Sequence, residues 1–176
     1  MHSPADRRRP IVAIVGQAQP RIEAHRPFAR TRLFAWLRLV GIDEEQVSRQ
    51  FVFGALVSFF PGVTSHGHKP PTDVAIAAGR RQLLAFLRSV NPDIVVPVGR
   101  LAVRAALRRD IESLSSVVGT RLFADPFGAL ARDVPVIPLP HPSGSSCWVH
   151  QGRNNRLLRN ALYALAEEMG GDREPT

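Results

Sequence analysis

Four short apolar runs rich in β-branched residues constrain the fold of this 176-residue chain more tightly than any other feature. They are Ile11–Val15 (IVAIV), Phe51–Val57 (FVFGALV), Asp93–Val98 (DIVVPV) and the run that begins at Val134 (VPVIPL). Each is nearly continuous in apolar residues rather than alternating, which is the pattern of strands buried on both faces, as in a parallel sheet. Helix-length amphipathic stretches separate them. Thr31–Val40 has apolar residues at helical spacing and is stopped by Gly41. A second helix is capped by Thr72 and runs to about Val90, before Asn91-Pro92. Leu101–Arg109 and Asn155–Met169 supply two more, while Ser113–Arg132 is weakly patterned and reads as a small hairpin ending near Asp133. The expected fold class is α/β: a three-layer α/β/α single domain around a central, mostly parallel sheet of about four strands. It is expected to span residues 10–170, between a disordered basic tail (1–9) and a polar tail (171–176).

In an open α/β sheet, ligands bind outside the carboxyl ends of the strands. Two strand ends in this chain carry chemistry. The first run passes at Gly16 into GQAQPRIEAHRPF, a polar loop that lacks the GxGxxG spacing of a dinucleotide site. The last run breaks at Pro138, Pro140 and Pro142 into HPSGSSCW, with His141 between two prolines and Ser143-Gly144-Ser145-Ser146 after it. Proline restricts the backbone on either side of His141 and so aims its imidazole. The plain alternatives are that His141 caps a turn and that Ser143 and Ser145 serve only turn geometry. His66 and His68, at i and i+2 in the Gly62–Pro71 loop, lack further ligands at metal-binding spacing, so the loop reads as a mildly basic connection.

Charge narrows the partner. The formal net charge is +8, and Lys69 is the only lysine among 23 basic residues. Arginine offers a planar fork of donors suited to phosphate, so nucleic acid is the leading inference; a solvated basic surface is the bland one. A single cysteine, Cys147, excludes a disulfide framework and an all-cysteine metal or iron–sulfur centre within one chain. No apolar stretch approaches the about 20 residues of a membrane span, and the charged N-terminus lacks the signal-peptide pattern. The expectation is a soluble monomer of the bacterial cytoplasm, nucleoid-associated, with no cofactor, metal or membrane partner.

Two stretches carry a family likeness: GQAQPRIEAHRPF after the first strand and LPHPSGSS after the last, with PVGRLA (Pro97–Ala102) between them. They resemble the signature motifs of the uracil-DNA glycosylase superfamily, most nearly the family-4-like members. Gly16-Gln17-Ala18 sits at the start of the first motif, Glu23 at its acidic position and Pro27-Phe28 at its PF. The resemblance implies an enzyme that flips a nucleotide out of the stack and breaks its N-glycosidic bond. It implies that His141 donates a hydrogen bond to the departing base and that Gln17, with Glu23, orients the attacking water. Phe28 would stack on the base, in a pocket that Gln17, Ala18, Ala55 and His141 also line. Ser143, Gly144 and Ser145 would press into the minor groove and hold phosphates, with Arg153 and Arg156 gripping the backbone.

The departures from that family pattern are specific. Gln17 stands where the family commonly has Glu, and an amide cannot take a proton from water. Gln19-Pro20 replaces the PG of the motif, and the loop to Pro27-Phe28 is about two residues shorter. Ala55 stands where an asparagine would read the edge of uracil, and the iron–sulfur cysteines are absent. The reading is a monofunctional, metal-free glycosylase of uracil or another deaminated base in DNA. The alternatives are a catalytically impaired DNA- or nucleotide-binding member of the same fold, or a hydrolase of free nucleosides. Outside the resemblance, Phe28 reads equally as core, Glu23 as a surface carboxylate beside Arg21 or Arg26, and Cys147 as a thiol packed near Trp148.

Overall fold

A computed structural model describes residues 8–19, 27–29, 31–65, 67–143 and 147–170. Its five-stranded sheet has the order β2-β1-β5-β7-β6, formed by β1 (Val12–Ala18), β2 (Phe51–Val57), β5 (Ile94–Pro97), β7 (Val134–Val136) and β6 (Leu122–Ala124). The first four are mutually parallel, and β6 adds an antiparallel edge through Leu122↔Val136 and Ala124↔Val134. That fifth strand falls in the weakly patterned segment, where a self-contained hairpin is expected. It pairs instead with β7, because an edge of three residues needs a neighbour whose ladder is otherwise open.

Helices α1 (Leu33–Leu39), α2 (Glu44–Gln50), α3 (Asp73–Val90), α4 (Arg100–Leu107) and α5 (Gly152–Glu168) cover both faces. Alternation along β1 divides the core. Val12 and Ile14 face α1, α2 and α5, packing with Leu37, Val47, Leu158 and Leu162. Ala13 and Val15 face α3 and α4, packing with Leu83, Leu87, Ala102 and Ala106. The Thr72 cap is present: its hydroxyl accepts from the Ala75 N–H at 3.2 Å. Asn91 closes α3 in the left-handed conformation (φ 47°), ahead of Pro92. Helix α2 has a signature the apolar periodicity hides, a capping box in which Asp43 and Gln46 satisfy each other's backbone N–H groups. Between β2 and α3 the expected loop is folded into a two-stranded hairpin, β3 (Val63–Thr64) with β4 (Gly67–His68). The Lys69 N–H closes it on the Gly62 carbonyl at 2.9 Å.

The connection from β1 reaches β2 on one side, and the next crossover returns to β5 on the other. The strand order therefore reverses between β1 and β5, which places the crevice of this sheet between their carboxyl ends.

Candidate active site

Strand β1 runs three residues past Val15, so Gly16, Gln17 and Ala18 lie on the strand rather than in the loop after it. Pairing on the β2 side sustains them: Gly16 is in register with Ala55 and Ala18 with Val57. On the other side, the Val98 N–H donates to the Val15 carbonyl at 2.9 Å. Val15 is thus held by two neighbours, and the residues beyond it, Gly16 to Ala18, by β2.

Gln17 and His141 meet at Gly99. A β-carbon on Gly99 would stand 3.0 Å from Gln17 Nε2 and 3.6 Å from both Cβ and Cδ2 of His141. Gly99 has φ +86°, a conformation that side chains rarely adopt, and it forms the N-cap of α4. The positive end of that helix therefore lies beside the imidazole. The histidine strand is locked in place by Leu139 N–H on the Pro97 carbonyl (3.0 Å) and Gly99 N–H on the Leu139 carbonyl (2.9 Å). His141 Nδ1 accepts from the Ser143 backbone N–H at 3.3 Å. An accepting Nδ1 puts the neutral ring's proton on Nε2, which makes that nitrogen the donor.

Phe28 joins from the other motif. Its ring lies over Gly16, where a β-carbon would stand 2.8 Å from Cζ, so any side chain there would have to displace the ring tip. The ring contacts Phe53 with centroids 6.4 Å apart, and Phe53 meets Phe34 at 6.2 Å. Half-buried Phe28 is therefore both part of the core edge and a wall at the end of β1, where Ala55 is the cross-strand neighbour of Gly16. Its backbone is held at φ 62°, a strained region for an aromatic residue. The turn that holds it is closed by Thr31, whose N–H and hydroxyl both donate to the Phe28 carbonyl, at 2.9 and 2.8 Å. The Arg32 N–H then donates to the Pro142 carbonyl at 3.0 Å, tying this turn to the histidine loop.

Two groupings result: Gln17 with His141 at Gly99, and Phe28 with Gly16, Ala55 and Phe53 one residue away. Alternation directs Gly16 towards the α1 face and Gln17 towards the α4 face, so these groupings flank the end of β1. Glu23, Gly144, Ser145 and His66 lie outside the described residues. Ser143 is half-buried at the start of the serine loop. Arg153 and Arg156 are exposed in the first two turns of α5, which begins three residues earlier than its apolar pattern suggests.

Two residues absent from the sequence reading hold the far side of the serine loop. Asn154, 2% exposed, accepts from the Ser115 hydroxyl at 2.9 Å and donates to the Trp148 carbonyl (2.9 Å) and Gln151 Oε1 (3.1 Å). Ser115 in turn accepts from Trp148 Nε1 at 3.1 Å. The signal for Asn154 was legible: it stands on the buried stripe of α5 with Leu158, Ala161, Leu162 and Leu165, a polar residue at a core position. Ser115 shows no such pattern, because its partners are distant in sequence.

Much of the arginine charge is used internally. Arg80, Arg88 and Arg100 donate to the carbonyls of Phe127, Ala129 and Ile111, and Arg132 donates to that of Pro92. Arg8 pairs with Asp93, Arg104 with Asp110, and Arg121 with Glu167 and Glu168. These arginines are thus already partnered within the chain. Among the described residues no cluster of three or more His, Cys, Asp or Glu side chains could hold a metal ion. No described helix is long and apolar enough to cross a membrane.

No curated protein matches the chain. The model of the uracil DNA glycosylase superfamily matches residues 5–166, an interval that takes in the end of β1, the Phe28 turn, the Gly99 cap and the histidine loop. The chain belongs to the uracil DNA glycosylase superfamily.

Proposed function

We propose that the protein is a DNA glycosylase that hydrolyses the N-glycosidic bond of uracil, or of another deaminated base, in DNA, as the first step of base-excision repair. The observation that carries this reading is the meeting of the Gln17 amide and the His141 imidazole at Gly99, in a chain of this family. When the C1′–N bond breaks, its electron pair leaves with the base, and the sugar becomes oxocarbenium-like. The His141 Nε2–H donates to the carbonyl oxygen where the negative charge collects, and the N-terminus of α4 favours the same charge. Gln17 holds a water whose oxygen bonds to C1′. Its proton passes to the base or to solvent, because an amide has no basic lone pair to take it. The route is accordingly dissociative, with bond breaking ahead of water attack. Phe28 offers a face for the flipped ring, and Arg153, Arg156 and the Ser143–Ser145 loop hold the DNA backbone. DNA is the partner, and the monomer suffices for this chemistry.

The uncharged Gln17, together with Ala55, which offers no hydrogen-bonding side chain to a base edge, favours a second reading: a member of the fold that binds DNA or nucleotides with little turnover. Incubation with oligonucleotides carrying uracil, hypoxanthine or xanthine, followed by alkaline cleavage of abasic sites, decides between them. Strand cleavage at one of these bases supports the glycosylase. Tight duplex binding without cleavage at any base supports the second reading.

A further inference from the structure

We infer that the outer face of α5 is a track for the DNA backbone, carried down the helix by Arg159, Asn160 and Tyr163. The assignment rests on DNA being the partner, as proposed above. Helix α5 starts beyond the turn Cys147–His150, and its far end, at Met169, lines a cleft with Arg9, just ahead of β1. It therefore runs down the side of the sheet, from the carboxyl ends of the strands towards their amino ends. One face of it is core, with Asn154, Leu158, Ala161, Leu162 and Leu165 buried. The other carries Arg153, Arg156, Arg159, Asn160 and Tyr163, all exposed. Neighbours along this stripe stand three or four residues apart, so it is continuous.

Its charge is of one sign. From Gly152 to Ala166 the helix has no acidic residue. Its two acids, Glu167 and Glu168, stand in the last turn and are held by Arg121 at 2.8 and 3.0 Å. Helices α2 and α3 begin with Glu44, Glu45 and Asp73, which suit the positive end of a helix dipole. Helix α5 instead has Arg153 there, with no acidic residue in its first turn and no side-chain cap. Arg153, Arg156 and Arg159 also repel one another at three-residue spacing. None of the three makes a hydrogen bond or ion pair with a described residue, whereas Arg80, Arg88, Arg100 and Arg132 are tied to carbonyls. Both charge terms oppose folding, and a polyanion laid along the stripe reverses the sign of both.

The dimensions and donors suit a phosphate backbone. At 1.5 Å per residue the stripe from Arg153 to Tyr163 covers about 15 Å. A DNA strand carries one phosphate per about 3.4 Å of axis, so the stripe faces about four. Guanidinium, amide and phenol groups all donate to phosphate oxygens, and such contacts carry no sequence information. A lipid surface fits less well, because it needs an apolar helix face to bury, and the apolar face of α5 lies in the core.

The test uses the full chain and two duplexes of one sequence, with and without uracil, titrated across salt. Arg159→Gln is expected to lower the slope of log affinity against log salt by about 0.9 on both duplexes. Binding is then about eightfold weaker than the parent's at about 0.1 M salt, and the difference vanishes towards about 1 M. Arg159→Lys should keep the slope. Arg81→Gln removes the same charge from an exposed site on α3, across the sheet, and should keep it too. The melting temperature should match the parent's in all three. An unchanged slope in Arg159→Gln, or an equal fall in Arg81→Gln, overturns the inference. So does Arg159-dependent attachment to phosphatidylserine vesicles with no Arg159 effect on DNA. These readouts use binding alone. A parent that binds DNA but cleaves at no base defeats the glycosylase reading and leaves the track to be decided by its slope, while a parent that binds no DNA defeats both.

Discussion

The Arg32 backbone N–H donates to the Pro142 carbonyl at 3.0 Å, joining residues more than a hundred positions apart. One belongs to the turn that presents Phe28, the other to the prolines that frame His141. The bond joins the Phe28 turn and the prolines around His141 into one unit. The side chains around that unit have separable roles, and each can be removed alone.

In the proposed reaction His141 would donate to the leaving base through Nε2, because its Nδ1 accepts from the Ser143 N–H. Removing a single donor aimed at developing charge typically costs about 10²–10³ in rate. His141→Ala is therefore expected to lower single-turnover base release by at least about a hundredfold while duplex affinity changes by less than about threefold. Gel-shift affinity and abasic-site cleavage on the same preparation check this. Equal losses in both would make the histidine scaffolding.

Gly16→Ala tests whether the Phe28 ring is part of the site. The new methyl would meet Cζ at 2.8 Å, and the ring tip, rather than backbone, would have to yield. Stability should fall by no more than about 1.5 kcal/mol. Base release should fall about 10- to 100-fold, since a misplacement near 1 Å is enough to spoil alignment. Calorimetry beside the excision assay separates the two effects. An unchanged rate would leave Phe28 an ordinary core residue.

The four apolar runs were legible because strands buried on both faces admit little else, and so were the Thr72 and Asn91 ends of α3. The extension of β1 through Gly16 and Gln17 was not, because neither residue favours a strand. Their extended backbone comes from β2 and from the Val98 N–H, which sequence order does not reveal. The edge strand β6 is too short to show a period, and α2 was announced by Asp43 and Gln46 rather than by apolar spacing. The motifs named Gln17, Phe28 and His141, and also Gly16 and Gly99, but not the close approach of the side chains to those glycines. Gly99 matters through φ and close contact, properties that only coordinates display.

Gly79 offers a test of the fold in which two effects oppose each other. It lies within α3, where alanine alone would stabilise a helix by about 1 kcal/mol. A β-carbon there would stand 2.2 Å from the Leu56 carbonyl oxygen, a backbone atom of β2 that cannot swing aside. Separation of helix and strand should dominate. Gly79→Ala is expected to destabilise by about 2 kcal/mol and lower Tm by several degrees. A stabilised variant would show that α3 leaves room for a methyl group against the Leu56 carbonyl.

The phosphate contacts assigned to Arg153 and Arg156 can be separated from net charge by salt dependence. Each phosphate neutralised contributes about 0.9 to the slope of log affinity against log salt on duplex DNA. Replacing both residues with glutamine should therefore reduce the slope by about two, and weaken binding almost equally for every sequence tested. Arg80 and Arg88 provide the control. They carry the same charge, but their guanidinium groups donate to the Phe127 and Ala129 carbonyls at 3.0 and 3.1 Å, beneath the opposite face of the sheet. Replacing those two should lower thermal stability and leave the slope intact. Equal slopes for the two double variants would mean that diffuse charge, rather than the start of α5, grips the DNA.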